Sequence, residues 1–166
     1  MIDWLAEAEK LTGEKIRPPA PLPPDPTPEQ ERLAEWQERA AILEYDAELP
    51  RHVAEGLASL FLMQRPSNLR ADRWQQLIDD AGRLADSGLA AKAYQLGWAD
   101  LDLWGCSPGF ARRLDRDGLV MAIGGRRVLR VTPECAEIST SGAHILRFRP
   151  GKPLYGAETL WSAVAA

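Results

Sequence analysis

The hydrophobic period of this chain changes once, near residue 118, and that change does most to limit what the chain can fold into. Upstream, apolar residues recur at helical spacing; downstream, they alternate as strands do. The expected class is therefore α+β, a helical body followed by a small C-terminal antiparallel meander of three or four strands.

The first helix of the body is predicted over 29–47, with Leu33, Trp36, Ala40 and Leu43 on one stripe and Glu31, Arg32, Glu35, Glu38 and Arg39 opposite. Thr27 and Pro28 suit N-cap and N1, and Gln30 has capping-box spacing. Leu49-Pro50 breaks that helix. A second follows over 51–64, turning Val53, Leu57, Leu60 and Phe61 inward. A third, over 69–87, shows the clearest period, Trp74, Leu77, Ile78, Ala81, Leu84 and Ala85, with Gly88 at its C′ position. A short helix over 89–96 ends at Gly97, and Ser107-Pro108 opens another that Gly118 ends. Trp36, Leu43, Leu57, Phe61, Trp74, Leu77, Ile78 and Trp104 are the expected core.

Beyond Gly118 the pattern predicts strands over 119–123, 127–132, 136–140 and 143–149. Gly124-Gly125 would turn between the first two, and Ser141-Gly142 between the last two. So small a meander is not stable alone, and helices must cover one of its faces.

The body, a single α+β domain over 29–150, is preceded by two different segments. Residues 1–17 hold a short amphipathic pattern, with Met1, Trp4, Leu5, Ala8 and Leu11 on one helical face. Residues 18–28 contain seven prolines in eleven positions. Such a run excludes helix and central strand and reads as a polyproline II spacer of about 3 Å per residue. Residues 151–166 form a tail. The N-terminus, Met-Ile-Asp-Trp-Leu-Ala-Glu, shows neither the basic start nor the apolar stretch of a signal peptide, and no apolar run is long enough to span a bilayer. The expectation is a cytoplasmic protein with no membrane partner.

Charge is unevenly spread. Residues 1–100 carry 18 acids and 11 bases; residues 101–166 carry 6 acids and 9 bases. These bases are all arginine except Lys152: Arg112, Arg113 and Arg116 on the predicted helix, and Arg126, Arg127, Arg130, Arg147 and Arg149 on or beside the strands. An anionic partner at that end, nucleic acid included, fits such an asymmetry. Strand alternation puts Arg127 with Leu129 and Val131, and Arg130 on the other face, so the arginines form no single stripe. Phe148 is the only aromatic on the strands, which argues against a base-stacking platform.

No reaction centre emerges. Cys106, Cys135, His52 and His144 fall at spacings that match no zinc pattern, so no metal and no cofactor are expected. The two cysteines are expected to be reduced. Cys106 precedes a helix start, where a thiol can be activated, and His144 is a conceivable base, but no third group orients them. Asp79 and Asp80, adjacent on a helix, point in different directions and are expected at the surface; Asp100 fits an N-cap.

Two segments resemble other proteins. Glu38-Arg-Ala-Ala-Ile-Leu-Glu-Tyr-Asp-Ala-Glu-Leu-Pro-Arg51 is similar to a segment of small accessory proteins of bacterial mobile elements and prophages, in which a glycine pair often stands where Ala47-Glu48 stands here. Leu96-Gly-Trp-Ala-Asp-Leu-Asp-Leu-Trp-Gly-Cys106, with Asp117-Gly-Leu119 and the terminal strands, looks like the body of uncharacterised proteobacterial proteins. The resemblance implies a bacterial setting and carries no activity. The expected function is that of a non-enzymatic binding or adaptor protein, docking a protein partner through Trp4, Leu5, Ala8 and Leu11. The alternative is a nucleic-acid-binding accessory protein using the C-terminal arginines.

Overall fold

The computed structural model describes residues 25–107, 109, 114, 115, 117–141 and 144–151. The amphipathic N-terminal segment with Trp4, Leu5, Ala8 and Leu11, most of the proline spacer, Arg112, Arg113 and Arg116, and nearly all of the tail lie outside the described residues. The architecture is α+β. Among the described residues six helices, α1 (Pro28–Asp46), α2 (Arg51–Leu62), α3 (Ala71–Asp86), α4 (Leu89–Gln95), α5 (Asp100–Leu103) and α6 (Leu119–Ile123), precede β1 (Val128–Val131), β2 (Ala136–Ser139) and β3 (Ile145–Phe148). Among the described residues no helix is long and apolar enough to cross a membrane.

Local chemistry explains where α1 begins. The Thr27 hydroxyl accepts from the Gln30 N–H at 3.3 Å, and the Gln30 side chain accepts from the Thr27 N–H at 2.8 Å, so two of the helix's orphan donors are satisfied reciprocally. After α1 the chain turns through Glu48, whose φ of 51° is left-handed. A side chain there costs roughly 1 kcal/mol. Glu48→Gly should therefore raise stability in urea denaturation by about 0.5–1 kcal/mol.

Helices α1 and α2 run antiparallel, fastened by a buried serine. Ser59 Oγ accepts from the Trp36 indole N–H at 3.0 Å and from the Gly109 N–H at 3.1 Å, with the Glu55 and Gly109 carbonyls in reach of its own proton. Trp36 beside Ser59 sets the first half of α1 against the last half of α2. α1 has 19 residues and α2 has 12, so the first turns of α1 run past α2. Ala40 is the one fully buried residue of α1, and Leu33, expected on the packing stripe, is exposed. Phe61, expected in the core, is exposed as well: it stands in the last turn of α2, about 100° round the helix from buried Leu60.

One hydrophobic cluster runs from Leu49 through α2, α3, α5 and α6 to Phe148 in β3. Leu57, Leu77 and Trp104 are buried in it, while Leu43, Trp74 and Ile78 pack half-buried against it. Trp104 is at its centre, with no exposed surface, and donates its indole N–H to the Tyr94 hydroxyl at 2.8 Å; that hydroxyl donates in turn to Asp100. Asp100 is thus occupied by Tyr94 and does not cap α5. Asp102 does that work, accepting from the Ala99 N–H at 3.1 Å, and its other oxygen holds the Gly151 N–H at 2.8 Å beyond β3.

Two expectations at the α-to-β junction are corrected. Residues 119–123 form helix α6, not a strand: all five side chains, Leu-Val-Met-Ala-Ile, are buried, and a fully apolar run carries no alternation that could tell the two apart. Gly118 starts this helix, and a Cβ there would approach the Leu103 carbonyl to 2.7 Å. Gly124, at φ 55°, ends α6, so the glycine pair is a helix C-terminus and not a hairpin turn.

The sheet is a three-stranded antiparallel meander in the order β1-β2-β3. A bulge in β1 shifts the register between Val128 and Arg130, so Val128 and Val131 both face the core and Leu129 and Arg130 both face out. The strict alternation expected for 127–131 is broken there.

Candidate functional site

A cleft of about 760 Å³ lies between the end of α3, the start of α4 and the chain entering β1. Asp80 lies at its base. Contrary to expectation it is buried, 1% exposed. Its carboxylate accepts from the Gly125 N–H at 2.9 Å and the Gln76 amide at 3.4 Å, and pairs with Arg83. Burial pushes its carboxyl above the ordinary aspartate range, against the opposing pull of the Gly125 N–H and of the Arg83 and Arg73 charges. The sequence did carry a signal. Asp80 occupies a stripe position between Leu77 and Leu84, with Gln76 four residues before and Arg83 three after, both within reach on a helix.

Arginines rim this cleft. Arg73 donates to the Met121 carbonyl at 2.7 Å. Its guanidinium and that of Arg126 both come within 3.4 Å of the point where Gly124 would carry a Cβ, so two cations meet over the end of α6. That end presents carbonyls, which favours them. Arg126 and Arg127 line the cleft, are exposed, and make no side-chain hydrogen bond or ion pair among the described residues.

The remaining arginines are elsewhere. Arg130 and Arg147 converge from β1 and β3 on Glu137 of β2, at 2.9 and 3.2 Å, on the outer face of the sheet. The Arg130 hydrogen bond, followed by that from Arg147, holds the Glu137 carboxyl below the usual carboxylate range. Arg149 is exposed beside this triad. The candidate nucleic-acid residues within the described chain are thus divided: Arg126 and Arg127 at the cleft, and Arg130, Arg147 and Arg149 around a carboxylate that two of them share.

The candidate catalytic residues are not brought into a working arrangement. Cys106 is buried, 1% exposed, and burial, with nearby Asp115 and Asp100, pushes its thiol up to about 12. A thiol so raised is protonated near neutral pH and a poor nucleophile. In the native protein at pH 8 an aromatic disulfide reagent should modify half-buried Cys135 and spare Cys106 until denaturant is added. Two thiols titrating in the native state would contradict this burial. His52 is exposed on α2 with its ring edge-on to Tyr94 at 4.6 Å, and His144 is exposed ahead of β3. Among the described residues no group of three histidine, cysteine or acidic side chains is arranged to hold a metal ion.

No protein-family model matches the chain, and neither a curated protein nor a solved structure matches it.

Proposed function

We propose that this chain is a non-enzymatic binding protein that acts through contacts with a protein partner, as an accessory protein in a bacterial mobile-element setting. The observation that carries the reading is the overhang of α1. Leu33, at 45% exposure, and Phe61, at 37%, stand uncovered at one end of the α1–α2 pair, with half-buried Trp36 between that end and Ser59. Apolar side chains held on ordered helices at a shared end suit a partner's apolar surface. The proline spacer enters α1 at this same end, and it would deliver Trp4, Leu5, Ala8 and Leu11 to a partner seated there. A Leu33→Ser, Phe61→Ser double variant should lose a protein that the wild type captures from nuclease-treated lysate, while its circular dichroism and melting stay unchanged. Equal recovery by both would refute the reading.

A nucleic-acid reading draws on Arg126, Arg127 and Arg149. With Arg130 and Arg147 engaged by Glu137, and no exposed aromatic among the described residues of the sheet, it supports a phosphate contact without base readout. Its binding would weaken steeply with salt.

A further inference from the structure

We propose that the arginine-rimmed cleft is a docking site for an extended peptide with acidic side chains, which adds as a strand to the open edge of β1. Several independent features converge there. β1 is an edge strand among the described residues, paired with β2 on one side alone. The cleft is lined by Arg126 through Leu129 and by the ends of α3, α4 and α6, and by no residue of β2 or β3, so it adjoins the first half of that edge, at Val128 and Leu129. Arg127 exchanges bonds with Ser139, its carbonyl accepting from the Ser139 N–H at 2.8 Å and its own N–H donating to Ser139 Oγ at 3.2 Å. The antiparallel alternation then turns the N–H and C=O of the next residue, Val128, toward the cleft. An unpaired edge of this kind recruits extended chains: main-chain bonds supply the affinity, and side-chain pockets supply the selection.

The selection here is for anions on an apolar frame. Leu84, Leu89 and Ile123 floor the cleft, and Arg126 and Arg127 rim it with guanidinium groups that have no partner among the described residues. Asp80 does not oppose an incoming carboxylate strongly, because Arg83 and the Gly125 N–H already hold it. Asp86, also on the lining, sets a limit at one end, where a basic residue of the peptide would be accepted. This surface is built from residues other than Leu33 and Phe61, so the inference stands apart from the function proposed above.

The test uses the full chain and a fluorescein-labelled, capped Val-Glu-Val-Glu-Val-Glu peptide, with its Val-Lys counterpart and a labelled oligothymidine as competitor classes. Fluorescence anisotropy should show binding of the glutamate peptide alone. Arg126→Ala with Arg127→Ala should weaken it about tenfold, the worth of losing charge-assisted bonds, at unchanged melting temperature. Amide exchange at Val128 should slow when the peptide is bound. Leu33→Ser should leave the affinity as it was, which separates this site from the α1 surface. No binding of the glutamate peptide, equal binding of the lysine peptide, or an affinity indifferent to the arginine changes would each overturn the proposal. Preference for oligothymidine would overturn it in favour of a phosphate contact.

Discussion

Gly56→Ala should destabilise the protein by about 3 kcal/mol, the upper range for overpacking a rigid core. Gly56 lies in α2 with Trp104 directly against its Cα, and a Cβ built there falls inside the contact radius of the indole nitrogen and its neighbouring carbons. The ring has no room to retreat. It is fully buried, and its N–H is engaged by Tyr94, whose hydroxyl is engaged by Asp100. Accommodating one methyl group means moving either α2 or that hydrogen-bonded chain. Gly82 is the internal control. It sits in α3, and a Cβ added there meets nothing within 4 Å. Gly82→Ala should therefore stabilise by about 0.5–1 kcal/mol, the ordinary helix preference for alanine. Urea denaturation of the two variants should move the midpoint in opposite directions. Two changes of the same sign would contradict the packing of Trp104 on α2.

Asp80→Ala should cost about 2 kcal/mol, because it removes the charged acceptor of the Gly125 N–H where α6 hands over to β1. Asp80→Asn keeps an acceptor for that N–H and sheds a charge that burial disfavours more than Arg83 favours it, so its cost should be small, about 0.5 kcal/mol or less. Equal losses in the two variants would show that charge, and not the hydrogen bond to Gly125, anchors the junction. The acid dependence has a definite sign. Burial raises the Asp80 carboxyl, so the folded protein holds that proton more tightly than the unfolded chain does. Its contribution is full below the ordinary aspartate value of about 3.9 and fades as pH rises through the raised value. The wild type should therefore gain on Asp80→Asn as the pH is lowered toward 4.

The helices were legible because their signals are local. Thr27, Pro28 and Gln30 announce the start of α1, Gly88 and Gly97 end α3 and α4, and the Leu77-Ala81-Leu84 stripe marks the inner face of α3. The α+β class followed from the change of period. What was not legible depends on distant partners. The run Leu119–Ile123 is apolar throughout, so burial on all sides, a tertiary fact, decided for helix. The β1 bulge depends on pairing with β2, and it reassigned Leu129 to the outer face. Leu33 and Phe61 carry core spacing and stand at the surface, Phe61 because it lies about 100° round α2 from buried Leu60. Asp80 read as surface because its burial rests on Gly125, 45 residues away. Composition grouped the arginines, and Glu137 divided them.

Binding of a protein partner at the α1–α2 end is the central claim, and site-specific photo-crosslinking tests it most directly. A photoreactive phenylalanine analogue is placed at position 61, where the native aromatic is already exposed, and at position 45, where Tyr45 is 80% exposed on α1, as a comparison. Irradiation in intact bacterial cells should give one discrete protein adduct from position 61, lost when Leu33→Ser is introduced. No adduct at position 61, or the same scatter of adducts at both positions, would contradict the claim.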